Sequence, residues 1–257
     1  MDLPNLEKVS FGGTRLRVSR LAFGTGTHGV GGRSHQSALG VGKLGELLVQ
    51  AYDYGVNFWD AADDYGTHPH LAHALKMVPR DRVVILTKTM SRGPEQVAKD
   101  IDRFLVELGT DVIDVVLVHS LTPTDWPQRY SGVLETLSRA KQAGKVRALG
   151  FSCHSLEALK SAASSDWAEV VMVRINYAGV NMDAAPQKVE PILAELQAAG
   201  KAVVGMKVLG IGALAGELQA ALDYVFNLGS VQAVTIGMTS PAQLEANIRA
   251  MGRIGAP

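Results

Sequence analysis

Four polar side chains are placed by apolar, β-branched runs. Asp60 follows NFW, Lys88 follows VVILT, His119 follows VIDVVLV, and Tyr65 lies five residues beyond Asp60 in the segment ADDYG. A lysine buried beside such a run is expensive unless a carboxylate pairs with it, and Asp60 is the natural partner. A phenol, with a pKa near 10, is a poor proton donor at neutral pH. A lysine cation beside it stabilises the phenolate and lowers that pKa. The aspartate keeps the lysine charged and in place, and an imidazole beside the phenol orients a carbonyl oxygen. Together the four residues would protonate an oxygen while a hydride arrives at the adjoining carbon.

The elements that must bring these residues together are legible as an alternation. Continuous apolar runs predict parallel strands near 20–25, 57–60, 83–88, 112–118, 146–151, 170–175, 202–207 and 233–237. Helical stripes lie between them, as in Val97, Ile101, Phe104, Leu105 and Leu108, or Val189, Ile192, Leu193 and Leu196. Gly55, Gly144 and Gly200 each precede a strand, where a left-handed glycine ends a helix. KVSF and RLRV around Gly12-Gly13 read as a hairpin. Eight strand–helix units predict a (β/α)₈ barrel occupying 1–257 as one domain, with a doubly wound open sheet as the competing α/β arrangement. In a barrel the carboxyl ends of the strands converge on one pocket, and the four chemical residues stand at three successive ends.

Two glycine motifs are set aside as dinucleotide fingerprints. Gly24-x-Gly26-x-x-Gly29 is followed by more loop, and the next acid is Glu46. Gly210 to Gly216 has one further strand after it and reads as a loop that touches phosphate through backbone N–H groups. His68, His70 and His73 raise a metal site with Asp60, Asp63 or Asp64, but His68 and His70 flank a proline expected in a loop, and no metal is assigned.

The chain resembles the aldo-keto reductases, from the hairpin through FGT (23–25), NFWDAADDYG (57–66), LTK (86–88), LVHS (117–120), GKVRALGFS (144–152) and GMTSPAQLEAN (237–247). The resemblance implies a barrel that transfers a hydride from NADP(H) to a small-molecule aldehyde or ketone. Tyr65 would be the general acid, Lys88 and Asp60 its tuning pair, and His119 the carbonyl-orienting residue. By the same match Gly24 and Thr25 meet the nicotinamide ribose and Ser152 the carboxamide. Gly237, Thr239, Gln243 and Asn247 hold the adenosine end. Cys153, Arg174, Met206, Lys207 and Leu209 fall at further cofactor positions, the first three as departures from the usual Asn, Gln and aromatic residue. Gly237 and Gln243 stand where basic residues usually bind a 2′-phosphate, Ala246 stands where an acid is usual, and Lys207 and Arg249 are the cations nearby, so NAD(H) stays open. The chain stops after IRAMGRIGAP, which implies a shallow, open pocket walled by Trp126, Tyr130, His28, His35 and Tyr177.

Composition fits this reading. Lys+Arg and Asp+Glu are 25 each, which argues against a nucleic-acid or polybasic membrane partner. Hydrophobic residues are 47% and charged residues 19%, as expected for a chain with a large core. One cysteine and an N-terminus without an apolar core suggest a reducing, cytoplasmic setting. A non-catalytic nucleotide-binding module and a metal-dependent barrel hydrolase remain as alternatives, and the oligomeric state is open.

Overall fold

The structure is a computed structural model and describes residues 3–254; the end of the C-terminal segment, 255–257, lies outside the described residues. The first hairpin pairs β1 (Lys8–Ser10) with β2 (Arg17–Ser19) antiparallel. The apolar runs then form β3 (Leu21–Gly24), β4 (Phe58–Asp60), β5 (Val84–Thr89), β6 (Ile113–Leu121), β7 (Val146–Cys153), β8 (Val170–Arg174), β9 (Ala202–Met206) and β10 (Ala233–Gly237). They pair in parallel and in sequence, and β10 closes on β3, so the sheet is a barrel and not an open doubly wound sheet.

Alternation along each strand sorts the side chains. One set, including Trp59, Ile85, Val116 and Phe151, packs outward beneath the helices. The other set, including Phe58, Leu86, Leu117 and Met172, fills the barrel interior. Because successive side chains point to opposite faces, two residues further along each strand the inward face reaches the rim. Phe58 leads to Asp60, Leu86 to Lys88, Leu117 to His119 and Met172 to Arg174. The same alternation that builds the core therefore delivers the polar residues to one mouth.

The covering helices are α1 (Val41–Asp53), α2 (His68–Ala74), α3 (Pro94–Leu108), the single turn α4 (Trp126–Arg129), α5 (Ser131–Gln142), α6 (Leu156–Ala163), α7 (Pro186–Ala198), α8 (Leu218–Asn227) and α9 (Pro241–Met251). The predicted stripes are buried at Val97, Ile101, Phe104 and Leu108 and at Val189, Ile192, Leu193 and Leu196. Gly55, Gly144 and Gly200 take φ of 87°, 76° and 74° at the helix-to-strand junctions. No helix among the described residues is long and apolar enough to cross a membrane.

Three boundaries differ from the sequence reading. The His68 segment opens α2 instead of a loop, because Pro69 falls in the first turn, where a missing N–H costs nothing. The strand before His119 continues to Leu121 through a register shift, and its neighbour continues to Cys153. The Ser120 N–H donates to Ser152 Oγ at 2.7 Å, which ties these two extensions together.

The hairpin closes the opposite end of the barrel: Phe11, Leu16 and Val18 join the interior cluster, and Phe11 meets Phe58 edge-on at 5.2 Å. Truncating this fully buried ring should leave a cavity at the base, well away from the mouth. Phe11→Ala is expected to cost about 3–5 kcal/mol of stability in denaturant unfolding, with ligand binding at the mouth unchanged below the transition.

Candidate active site

Lys88 is fully buried, and its Nζ donates to Asp60 Oδ1 and, at 2.8 Å, to the Ala61 carbonyl. Thr235 Oγ1 on β10 donates to the other carboxylate oxygen at 2.7 Å. Burial alone pulls the ammonium pKa down; Asp60, then Tyr65, outweigh it and hold it above its ordinary value, so Lys88 stays charged.

Tyr65 ends a 3₁₀ turn, Asp63–Tyr65, that follows β4. The Lys88 Nζ is 4.7 Å from its ring centroid, and the phenol oxygen is 3.5 Å from His119 Nε2. Gly26 and Gly29 lie flat against the ring: a Cβ on either would overlap a ring carbon. The two later glycines of the apparent dinucleotide motif thus make room for Tyr65. Burial raises the phenol pKa most, Lys88 opposes it, and Asp60 adds to it; the net direction is up. The expected net lowering is therefore corrected. Lys88 does lower the pKa, but desolvation is larger, and the phenol keeps its proton at neutral pH.

His119 is aimed by a bulge. Ser120, next in the chain, has φ of 55°, and the β6–β7 register shifts between Val118 and Leu121. Arg92, from the loop after β5, donates to the His119 carbonyl. Burial first, then Lys88, His154, Arg92 and Lys207, pull the imidazole pKa down to about 2, so the ring is neutral. Beside it, His154 is pulled to about 4 by burial and by Arg174, Lys207 and Lys88. Arg174 Nη2 donates to His154 Nδ1 at 2.8 Å, which puts the ring proton of neutral His154 on Nε2.

A cavity of about 420 Å³ passes Tyr65 and Asp60. The loop after β3 contributes Gly26, Thr27, His28 and His35, and the strands contribute Gly24, Met172, Met206 and Thr235. The loop after β9, folded into 3₁₀ turns at Gly210–Gly212 and Ala215–Glu217, contributes Lys207, Val208, Leu209 and Ile211. Gly237, Gln243, Ala246 and Asn247 form the end at β10 and α9.

The aldo/keto reductase family model matches residues 20–221. The chain belongs to this family. It is 24% identical to L-galactose dehydrogenase of Arabidopsis thaliana, over 97% of this chain and 89% of that one. It is 25% identical to an NADH-specific methylglyoxal reductase of Escherichia coli, over 56% of this chain and 51% of that one. A Pseudomonas aeruginosa protein assigned as an aldo-keto reductase superposes with a TM-score of 0.81 at 25% identity, covering 98% of each chain. A holo aldo-keto reductase from Bacillus halodurans superposes with a TM-score of 0.78 at 22% identity, covering 96% of this chain and 90% of that one.

Several residues expected at the pocket lie elsewhere. Trp126 is fully buried, packs on Phe151 at 4.8 Å and donates to the Ala158 carbonyl, so it is a core residue and not a wall. Tyr177 packs on Tyr224 of α8, and Tyr130 lies under the Arg92 guanidinium; neither lines the cavity. Thr25 is buried and bonds to the Asp60 carbonyl at 2.8 Å. The Cys153 thiol donates to the Ser155 carbonyl at 2.9 Å, and burial pushes its pKa up to about 12. Arg174 pairs with Asp183 at 2.9 Å in addition to His154. Neither Cys153 nor Arg174 replaces the contacts of the usual Asn and Gln by lining the groove. Thr239 lies beside it, its N–H donating to Gln243 Oε1 at 2.8 Å. His68 bonds to Glu107 and Thr87, both at 2.7 Å, as a buried structural histidine. Among the described residues no three His, Cys, Asp or Glu side chains are grouped to hold a metal. Thr235 escaped the sequence reading, although it sits two residues before Gly237 on the inward face of its strand.

Two outcomes follow from the geometry. Gly26→Ala must displace the Tyr65 ring, and about a 10²-fold loss of turnover is expected in a protein that still folds. In the folded state His119 stays neutral down to about pH 2, whereas in the unfolded chain it takes up a proton near its ordinary value of 6.5. The unfolded state thus binds the extra proton below that value, and stability falls as pH falls. Urea unfolding from pH 6.5 to 4.5 should show this loss, with up to about 1.4 kcal/mol per unit from His119, and His119→Asn should remove that share.

Proposed function

We propose that this aldo/keto reductase reduces an aldehyde or ketone to the alcohol with a nicotinamide dinucleotide as hydride donor. The observation that carries the reading is the arrangement of a protonated phenol, a neutral imidazole and a fully buried ammonium around one mouth. A carbonyl oxygen accepting from Tyr65 O–H and from His119 Nε2–H would be held by two neutral donors. As the carbonyl carbon gains the hydride, the Tyr65 proton passes to the oxygen. The phenolate left behind is stabilised by Lys88, whose own charge Asp60 balances, and a solvent proton restores the phenol.

The residues present fit the cofactor. Lys207 lines the groove and forms no ion pair among the described residues, and it suits a diphosphate. The loop beyond it turns left-handed at Gly210, Ile211 and Gly212, its Gly210 and Gly212 N–H groups donating to the Lys207 and Leu209 carbonyls, and it walls the groove. Met206 offers a polarizable thioether to an aromatic ring. When bound, the dihydronicotinamide supplies the hydride. The single buried cysteine supports a reducing, cytoplasmic location.

Tyr65→Phe tests the reading. Turnover across a panel of aliphatic and aromatic aldehydes should fall about 10²- to 10⁴-fold while dinucleotide binding persists. Equal rates in the two proteins would contradict the assignment of Tyr65 as the acid.

A further inference from the structure

We propose that the groove selects the dinucleotide without a 2′-phosphate, so that NADH is the cofactor this chain holds; the inference rests on the nicotinamide reading above. The end of the groove formed by β10 and α9 is lined by Gly237, Gln243, Ala246 and Asn247, none of them charged. Among the described residues the one lysine or arginine lining the groove is Lys207, which directly follows β9 and not β10 or α9. Arg249 on α9 is exposed and turned to Glu245 at 3.5 Å. The first two turns of α9 carry a single charged side chain, the carboxylate of Glu245.

Two further observations make this a built preference and not a missing residue alone. A Cβ at Gly237 would overlap Thr27 Oγ1 and lie 2.7 Å from Gln36 Nε2, so a side chain there requires both of those side chains to move. The loop after β3 is clamped there, with the Thr27 N–H and the Gln36 Nε2–H₂ closing a two-bond ring at 2.9 Å each. A cation at that position would have to break this clamp. Asn247 is buried, and its Nδ2 donates to the Gln243 carbonyl at 2.7 Å, which fixes the amide and leaves Oδ1 buried with no donor. An orphaned acceptor is satisfied by a ligand N–H or O–H, such as an adenine amino group or a ribose hydroxyl. A 2′-phosphate removes the ribose donor and brings about two negative charges with no cation to meet them.

Fluorescence titration of the wild-type protein with NADH and with NADPH reads the preference directly, without turnover. NADH is expected to bind at least about tenfold more tightly. Gln243→Arg, which adds a cation on the first turn of α9, should raise the affinity for NADPH relative to that for NADH at least about tenfold. NADPH binding as tightly as NADH to the wild type overturns this inference and leaves the reductase reading standing. Binding of neither dinucleotide overturns the reductase reading, and this inference with it.

Discussion

A lysine ammonium with no exposure to water sits at the centre of this molecule. Removing such a charge from water costs several kcal/mol, and the cost is recovered only with close partners. Those partners come from separate parts of the chain: Asp60 and Ala61 at the end of β4, with Thr235 on β10 steadying the carboxylate. Thr235 and Asp60 are 175 residues apart in sequence, so the pair is complete only once the barrel has closed. The ion pair thereby links the closure of the fold to the readiness of the site. The barrel interior below it is apolar and offers the charge no alternative partner.

The same dryness sets the state of the neighbouring groups. It holds the proton on Tyr65 and keeps it off His119, while Asp60 keeps it on Lys88. One donor, one neutral imidazole and one cation are the forms that the proposed carbonyl protonation requires at neutral pH. The cluster of positive charge, with Lys88, Arg92 and Lys207 all acting on His119, reinforces the imidazole's neutrality. The loop after β3 then fixes the phenol by its two ring-facing glycines and reaches across to Gly237 at the other end of the groove.

What sequence could reveal follows from which residues obey a period. Asp60, Lys88 and His119 each end an apolar run, so their convergence followed from counting strands. Thr235 obeys the same period, yet a threonine in a β-branched strand looks like any other strand residue. Trp126 misled because an aromatic next to a proline after a strand reads as a loop wall; its indole instead packs between Phe151 and Trp167. Gly26 and Gly29 are set aside as phosphate-binding glycines because more loop follows them, but their approach to the Tyr65 ring is hidden, since sequence does not say what a glycine backbone faces. The sign of the Tyr65 shift was hidden for a related reason: proximity to Lys88 is visible in the motif, but the depth of burial is not.

The most direct test removes the central pair without stranding a charge. In the double variant Asp60→Asn, Lys88→Met, the phenol loses its cation while neither partner is left unpaired. The expected result is a folded protein that still binds the dinucleotide and whose kcat for aldehyde reduction falls at least about 100-fold. A folded double variant with kcat within about threefold of the wild type would contradict a catalytic role for the buried ion pair.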